Sequence, residues 1–316
     1  MLNRRQLRIK VMQALYAYFQ VGNTDLNKGE KELIGSIWKV YDLYIHLLVL
    51  LIELQFQEEK YQAEGKNKRL PTAEDLNPNT RFVDNALIRL LQENTQLRRE
   101  LNNRKVSWQV EDELVRKLLF QIRQGETYQN YLIQSDNSFE AQAQFLIALC
   151  KNELSNFELL DDYFEAKSIY WADDMRVAMS SLIKTLEGLK PQTMASDIIL
   201  LPLFKEPEED QQFATHLYRK TILQTDEFEA LIADKTTNWE VERIAMMDIL
   251  LMKMALTEIL QFESIPVKVT LNEYIEISKL YSSPKSKVFI NGILDKLVQE
   301  FKSANKIQKT GRGLAE

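Results

Sequence analysis

At 316 residues, with 45% hydrophobic and 27% charged side chains, the chain has the composition of a globular protein with material for a large core. Nine glycines and seven prolines leave little punctuation, which favours long helices and an all-α fold, and a single cysteine, Cys150, excludes an intrachain disulfide or a cysteine-built zinc site and fits a reducing compartment. The net charge is -6, yet residues 1–24 carry +4 and residues 267–316 another +4, which leaves -14 for the stretch between; this excludes nonspecific wrapping of nucleic acid while allowing a localised basic edge.

The first element is expected from Asn3 to about Gln20, with Asn3 as N-cap and Gln6 as its capping-box partner. Leu7, Val11, Ala14, Leu15 and Tyr18 recur at helical spacing as a core stripe, and Arg5, Met12 and Tyr16 share a neighbouring flank. Arg8 falls between the two. Arg4, Arg5 and Arg8 thus sit at the positive end of the helix dipole, where cations cost some tenths of a kcal/mol each. A local choice that opposes stability points to function, here an anionic ligand. Solvated basic residues at a chain start are the plain alternative.

Helical patterns follow at about 30–60, 80–103, 107–124, 139–160 and Trp171–Leu189. Lys66–Asn79 and Leu201–Asp210, each with two prolines, are read as loop and linker. Segments at 211–223 and 226–234 precede a long helix from Trp239 to Phe262, which Pro266 ends. Thr270 and Glu273 have the spacing of a capping box for a helix over Leu271–Leu280, and a last helix runs from Lys287 to Ala304. Gly292, early in that helix, is read as a close helix–helix contact; Lys306–Glu316 reads as a disordered basic tail. Leu47–Ile52 is too short to span a bilayer and no secretory segment follows the N-terminal charges, so a cytoplasmic protein without a membrane role is expected.

Shifting 145–190 by 68 residues superposes Phe145 on Phe213, Leu149 on Leu217, Lys167 on Lys235, Trp171 on Trp239, Met179 on Met247 and Leu182 on Leu250. The periodicity any two amphipathic stretches share explains this as readily as a decayed duplication of a three-helix unit. Dissimilar helix order would exclude the duplication.

No catalytic constellation is found, and no cofactor or metal site is expected. His46 and His216 lack partners at ligand spacing, no glycine-rich phosphate loop follows a strand, and Gly311-Arg312-Gly313 is assigned to the tail. Asp161-Asp162 and Asp173-Asp174 read as solvated helix faces. Arginines on a helix with Tyr16 two turns on suit single-stranded RNA, since guanidinium binds phosphate and tyrosine stacks on bases.

Arg4-Arg5-x-x-Arg8 followed by Gln13-Ala14-Leu15-Tyr16 resembles the start of the NusB family of transcription antitermination factors. Glu258, Ile265-Pro266-x-Lys268-Val269, Asn272-Glu273-x-Ile275-Glu276-x-x-Lys279 and Phe289-x-Asn291-Gly292-x-Leu294-Asp295-Lys296 resemble its end, in order and spacing. The resemblance implies an all-helical bundle of two three-helix units. It implies that 1–21 is the arginine-bearing first helix, 209–304 the C-terminal part, 22–208 an acidic helical insertion (with a degenerate repeat at 145–190 on the duplication reading), and 305–316 the tail. It further implies binding to boxA-type RNA with NusE, a ribosomal small-subunit protein, in the polymerase antitermination complex of ribosomal RNA operons. Arg4, Arg5 and Arg8 fall in the family's arginine motif, and Tyr16, Asp248 and Phe289 where it places further RNA contacts. Val288 replaces a residue often basic in relatives, so Lys285 and Lys287 are read as supplying that charge. Two other readings stay open: a scaffold whose acidic insertion docks NusE, polymerase or itself, and, remotely, a relative of ribosomal RNA methyltransferases that carry a NusB-like domain.

Overall fold

Helix α1 (Arg4–Gln20) begins as its sequence dictates: Asn3 is extended, its side chain accepts from the Gln6 amide, and the Gln6 side chain accepts from Asn3 N–H at 2.6 Å. The computed structural model describes residues 1–22, 24–171, 173–236 and 245–314. Helix accounts for 76% of the described residues, and no strand occurs among them, so the fold is all-α.

The remaining helices are α2 (Leu26–Lys66), α3 (Ala73–Leu76), α4 (Ala86–Glu93), α5 (Thr95–Arg104), α6 (Asp112–Gln124), α7 (Glu126–Ile133), α8 (Phe139–Asn152), α9 (Glu158–Lys167) and α10 (Met175–Gly188). They continue with α11 (Pro207–Leu223), α12 (Thr225–Lys235), α13 (Met246–Gln261), α14 (Val267–Tyr281) and α15 (Ser286–Ser303). They form two compact units: a terminal unit of residues 2–37 and 204–316, and a central unit of 38–203 with Met1.

In the terminal unit α13 is the core helix, buried from Leu250 through Ile259, as a helix apolar on nearly all sides must be. It packs against α1, α11, α12, α14 and α15. In the central unit, α2 from Trp38 onward carries His46 into a cage of Trp108, Phe164 and Trp171 rings. Burial lowers the His46 pKa, and its Nδ1 lies 2.8 Å from the Asp42 carbonyl. Glu58, 1% exposed, is neutralised by Arg123 at 2.7 Å, and Arg123 lies over the Tyr61 ring.

Several expectations change. The pattern at 80–103 breaks at Asn94, which ends α4 and caps α5 while its amide donates to the carbonyls of Ala195 and Ile198. The pattern at 139–160 breaks into α8 and α9, and α7 was not anticipated. Thr270 and Glu273 are not a capping box: α14 starts at Val267 after Pro266, and both side chains serve charges on other helices. Gly292 is not a close contact, because a Cβ there meets nothing within 4 Å. Asp174 is buried rather than solvated. The tail is folded: Thr310 N–H donates to Glu263 O, and residues 311–314 form a short 3-10 turn. The start of the long helix expected at Trp239 lies outside the described residues.

At the 68-residue shift, α8, α9 and α10 fall on 207–220, 226–235 and 243–256, against α11, α12 and α13 as observed. The buried positions keep register in part: Ala141 and Ala178 fall on exposed Glu209 and Met246. Gln142, Phe145, Leu146, Leu149 and Cys150 of α8 fall on Asp210, Phe213, Ala214, Leu217 and Tyr218, all buried, and Leu160 and Phe164 of α9 fall on Phe228 and Ile232. Trp239, the partner of Trp171, lies outside the described residues.

Candidate nucleic-acid interface

Residue Arg8 of α1 is 3% exposed, and its Nε and Nη2 donate to the two oxygens of Glu258 at 2.7 Å each. Thr270 Oγ1 donates to the same carboxylate at 2.8 Å and the Tyr274 hydroxyl at 3.3 Å, so the buried anion is fully surrounded by donors. Burial works against the Arg8 charge, but the hydrogen bonds and field of Glu258 outweigh it and raise its pKa further. Burial, aided by the Glu258 charge, raises the Tyr274 pKa well above its usual value. Arg8 therefore anchors α1 to α13 and α14 rather than facing solvent.

Beside this anchor the other two arginines stay partly open. Arg5 makes a forked pair with Glu273 at 2.8 and 2.9 Å, which lowers the Glu273 pKa and raises that of Arg5. Arg4 reaches Glu209 at 2.5 Å and Asp210 at 3.2 Å, with its guanidinium carbon 4.4 Å from the centre of the Phe213 ring. Asp210 also accepts the amides of Lys205 and Glu206, fixing the chain where it enters α11. The three arginines line one open groove of about 1390 Å³, with Phe213, Phe262 and Arg312 among its other walls. Guanidinium groups backed by an aromatic ring suit phosphate and base recognition alike. Glu209 is 65% exposed, so its pairing with Arg4 contributes little and is exchangeable for another anion.

Tyr16 is exposed on the same helix; its hydroxyl accepts from Gln20, whose amide also reaches Met246 Sδ at the start of α13. Two residues on, Asp248 is buried and accepts hydroxyls from Ser282 and, at 2.8 Å, Ser286. Asp248 thus ties the start of α13 to the turn that opens α15. Lys285 and Lys287 stand exposed at that turn, Phe289 is half-buried, and α15 has no acid in its first turn. Arg4, Arg5 and Arg8 are brought together; Asp248 joins the Lys285–Phe289 turn; Tyr16 lies between, linked through Gln20 and Met246. No cluster of His, Cys, Asp or Glu suited to a metal occurs among the described residues.

Sequence reasoning missed Phe213 as the ring beneath Arg4, and Arg312. It read Thr270 and Glu273 as a cap, where the signal of their real role was the excess of arginines facing them without nearby acids in sequence.

The sequence profile of the NusB family matches residues 184–299. The transcription antitermination protein NusB of Salinibacter ruber is 41% identical over 145 residues, covering 44% of this chain and 89% of that protein. The NusB of Chloroherpeton thalassium is 35% identical over 133 residues, 42% of this chain and 58% of that protein. The NusB of Alkaliphilus oremlandii is 32% identical over 93 residues, 29% of this chain and 67% of that protein. No solved structure matches the chain. An all-α terminal unit with an arginine-bearing first helix, together with these relatives, makes the chain a member of the NusB family of transcription antitermination proteins.

Proposed function

We propose that the chain is a non-enzymatic, RNA-binding antitermination factor that binds boxA-type single-stranded RNA of ribosomal RNA operons together with NusE, within the polymerase antitermination complex. The observation that carries this reading is the open groove in which Arg4 and Arg5 lie beside Phe213, on the helix that also exposes Tyr16. In it Arg4 and Arg5 exchange carboxylates for phosphates, Tyr16 and Phe289 stack on bases, and Lys285 and Lys287 meet the backbone further along. Arg8 and Asp248, both buried, hold these groups in place. With about four phosphates neutralised, a fourfold rise in salt weakens binding roughly fifty-fold. A gel shift on boxA and scrambled RNA, with and without NusE, tests the reading. A boxA preference strengthened by NusE is expected; equal affinity for the scrambled RNA, or none for either, overturns it.

The acidic charge between the two basic ends favours a second reading, in which residues 22–208 are a docking module for NusE or polymerase. Deleting about 25–205 distinguishes it, through loss of NusE binding with RNA binding retained. The similar helix order and partly shared burial at the 68-residue shift also support residues 145–190 being a decayed copy of 213–258.

A further inference from the structure

The Gly311-Arg312-Gly313 segment, set aside in the sequence as tail, is clipped to the α13–α14 corner beside the arginine groove. Lys309 Nζ donates to Phe262 O at 2.8 Å and Thr310 N–H to Glu263 O at 3.0 Å. Gly311 is in the left-handed region at φ +51°, and Gly313 is buried so tightly that a Cβ would come within 1.8 Å of Glu263 O. Only glycine fits there, so the two glycines hold the residue between them at a defined place. That residue, Arg312, is exposed and lines the same groove as Arg4 and Arg5.

Its electrostatic situation differs from theirs. Arg4, Arg5 and Arg8 each spend their charge on a carboxylate of this chain, whereas Arg312 has no ion-pair partner among the described residues. A guanidinium fixed in a groove but left unpaired is already available to an anion and has no internal pair to break. The geometry points to residues 306–314 as a strap that delivers Arg312 to the groove as a phosphate-binding residue for single-stranded RNA. This deepens the RNA-binding reading and rests on it. The strap lowers the cost of first contact: Arg312 engages a phosphate before Arg4 and Arg5 exchange their acids.

The test is fluorescence anisotropy of a labelled boxA-type oligoribonucleotide with the full chain across a salt series. Arg312→Ala should lower affinity about fivefold near 0.1 M salt and reduce the salt slope by about 0.7, the loss of one phosphate contact. Arg312→Lys should restore most of the slope. Gly313→Val, which forces the strap off Glu263, should reproduce the Arg312→Ala loss, and the double variant should lose no more than either alone. Limited proteolysis should cut residues 306–314 faster in Gly313→Val than in the parent chain. Should Arg312→Ala keep the parent slope while Arg4→Ala/Arg5→Ala loses it, the strap proposal fails and the RNA reading stands. Should the parent chain bind no RNA, both fail.

Discussion

A similar order of three helices occurs in both units, and one position related by the 68-residue shift serves different ends in each. Phe145 of α8 lies face to face with Tyr131 at 3.8 Å, a contact between apolar surfaces inside the central unit. Phe213, at the equivalent place on α11, carries the Arg4 guanidinium on its face. Polar positions diverge further. Where the terminal unit buries Glu258 and Asp248, the shifted positions hold Lys190 and Ser180, both exposed. Several packing positions thus recur at the shift, while the buried carboxylates of α13 have no counterpart on α10. A helix face keeps its apolar register because every slip costs core contacts, whereas a buried carboxylate is retained only where donors meet it, an arginine at Glu258 and two serine hydroxyls at Asp248.

The largest test of that contrast is to remove the arginines from the two buried pairs. Arg8→Ala leaves Glu258, fully buried, without its cation and should cost about 3–5 kcal/mol. Arg123→Ala should cost less, because Arg123 is 25% exposed against 3% for Arg8, so water reaches the vacated site. Urea midpoints at unchanged slope measure both. Equal costs would mean that the two pairs are equivalent anchors.

Next in size is binding. Arg4→Ala/Arg5→Ala removes the two proposed phosphate contacts and should weaken RNA affinity about 25-fold near 0.1 M salt. Stability should change little, since partly exposed pairs contribute about 0–1 kcal/mol each. Arg89→Ala/Arg116→Ala, which removes exposed arginines of the central unit, should leave affinity unchanged. A matching loss there would spread the binding surface over both units and erase the contrast.

The two units should also respond to acid in different windows. His46 has its pKa lowered by burial, so the unfolded chain takes up a proton first. Stability in the central unit is full above the ordinary histidine pKa near 6.5 and falls as pH drops below it. In the terminal unit Glu273, lowered chiefly by its Arg5 hydrogen bond, contributes stability above the usual carboxylate range, lost only as pH falls through its depressed pKa. His216 in the terminal unit is lowered too, by partial burial and by Lys220, but it is exposed, so solvent screening makes its share in the same window smaller. An NMR titration should find the His46 midpoint below 6.5, and His46→Gln should flatten the stability profile between pH 5 and 7. A midpoint at or above 6.5 would contradict the buried-cage account.

Much of the fold was legible because it rests on local rules. The Asn3–Gln6 box and the apolar stripe of α1 follow from neighbouring residues, whereas α11 opens at Pro207, inside the stretch read as linker. The site was legible only in part. That arginines cluster on α1 is written in the sequence, but which of them is buried depends on Glu258 and Glu273, some 250 residues away. The Thr270–Glu273 spacing fits a cap and an ion-pair network equally well, and only packing of α1 on α14 decides. Residues 306–314 have a disordered composition, yet a strap held by backbone carbonyls and two glycines needs no apolar pattern to announce it.

The smallest expected effect concerns Gly292. Glycine inside a helix costs about 1 kcal/mol relative to alanine, and here no neighbour lies close enough to require it. Gly292→Ala should therefore raise stability by about 0.5–1 kcal/mol, as should Gly188→Ala to a lesser degree at the end of α10. The two glycines should part in their effect on binding. Gly292 is exposed one turn beyond Phe289, so on the proposed RNA reading its added methyl group should lower RNA affinity a few-fold while Gly188→Ala leaves it unchanged. A stability gain at Gly292 without loss of affinity would remove α15 beyond its first turn from the interface. It would leave RNA contacts at that end of the molecule to Lys285, Lys287 and Phe289.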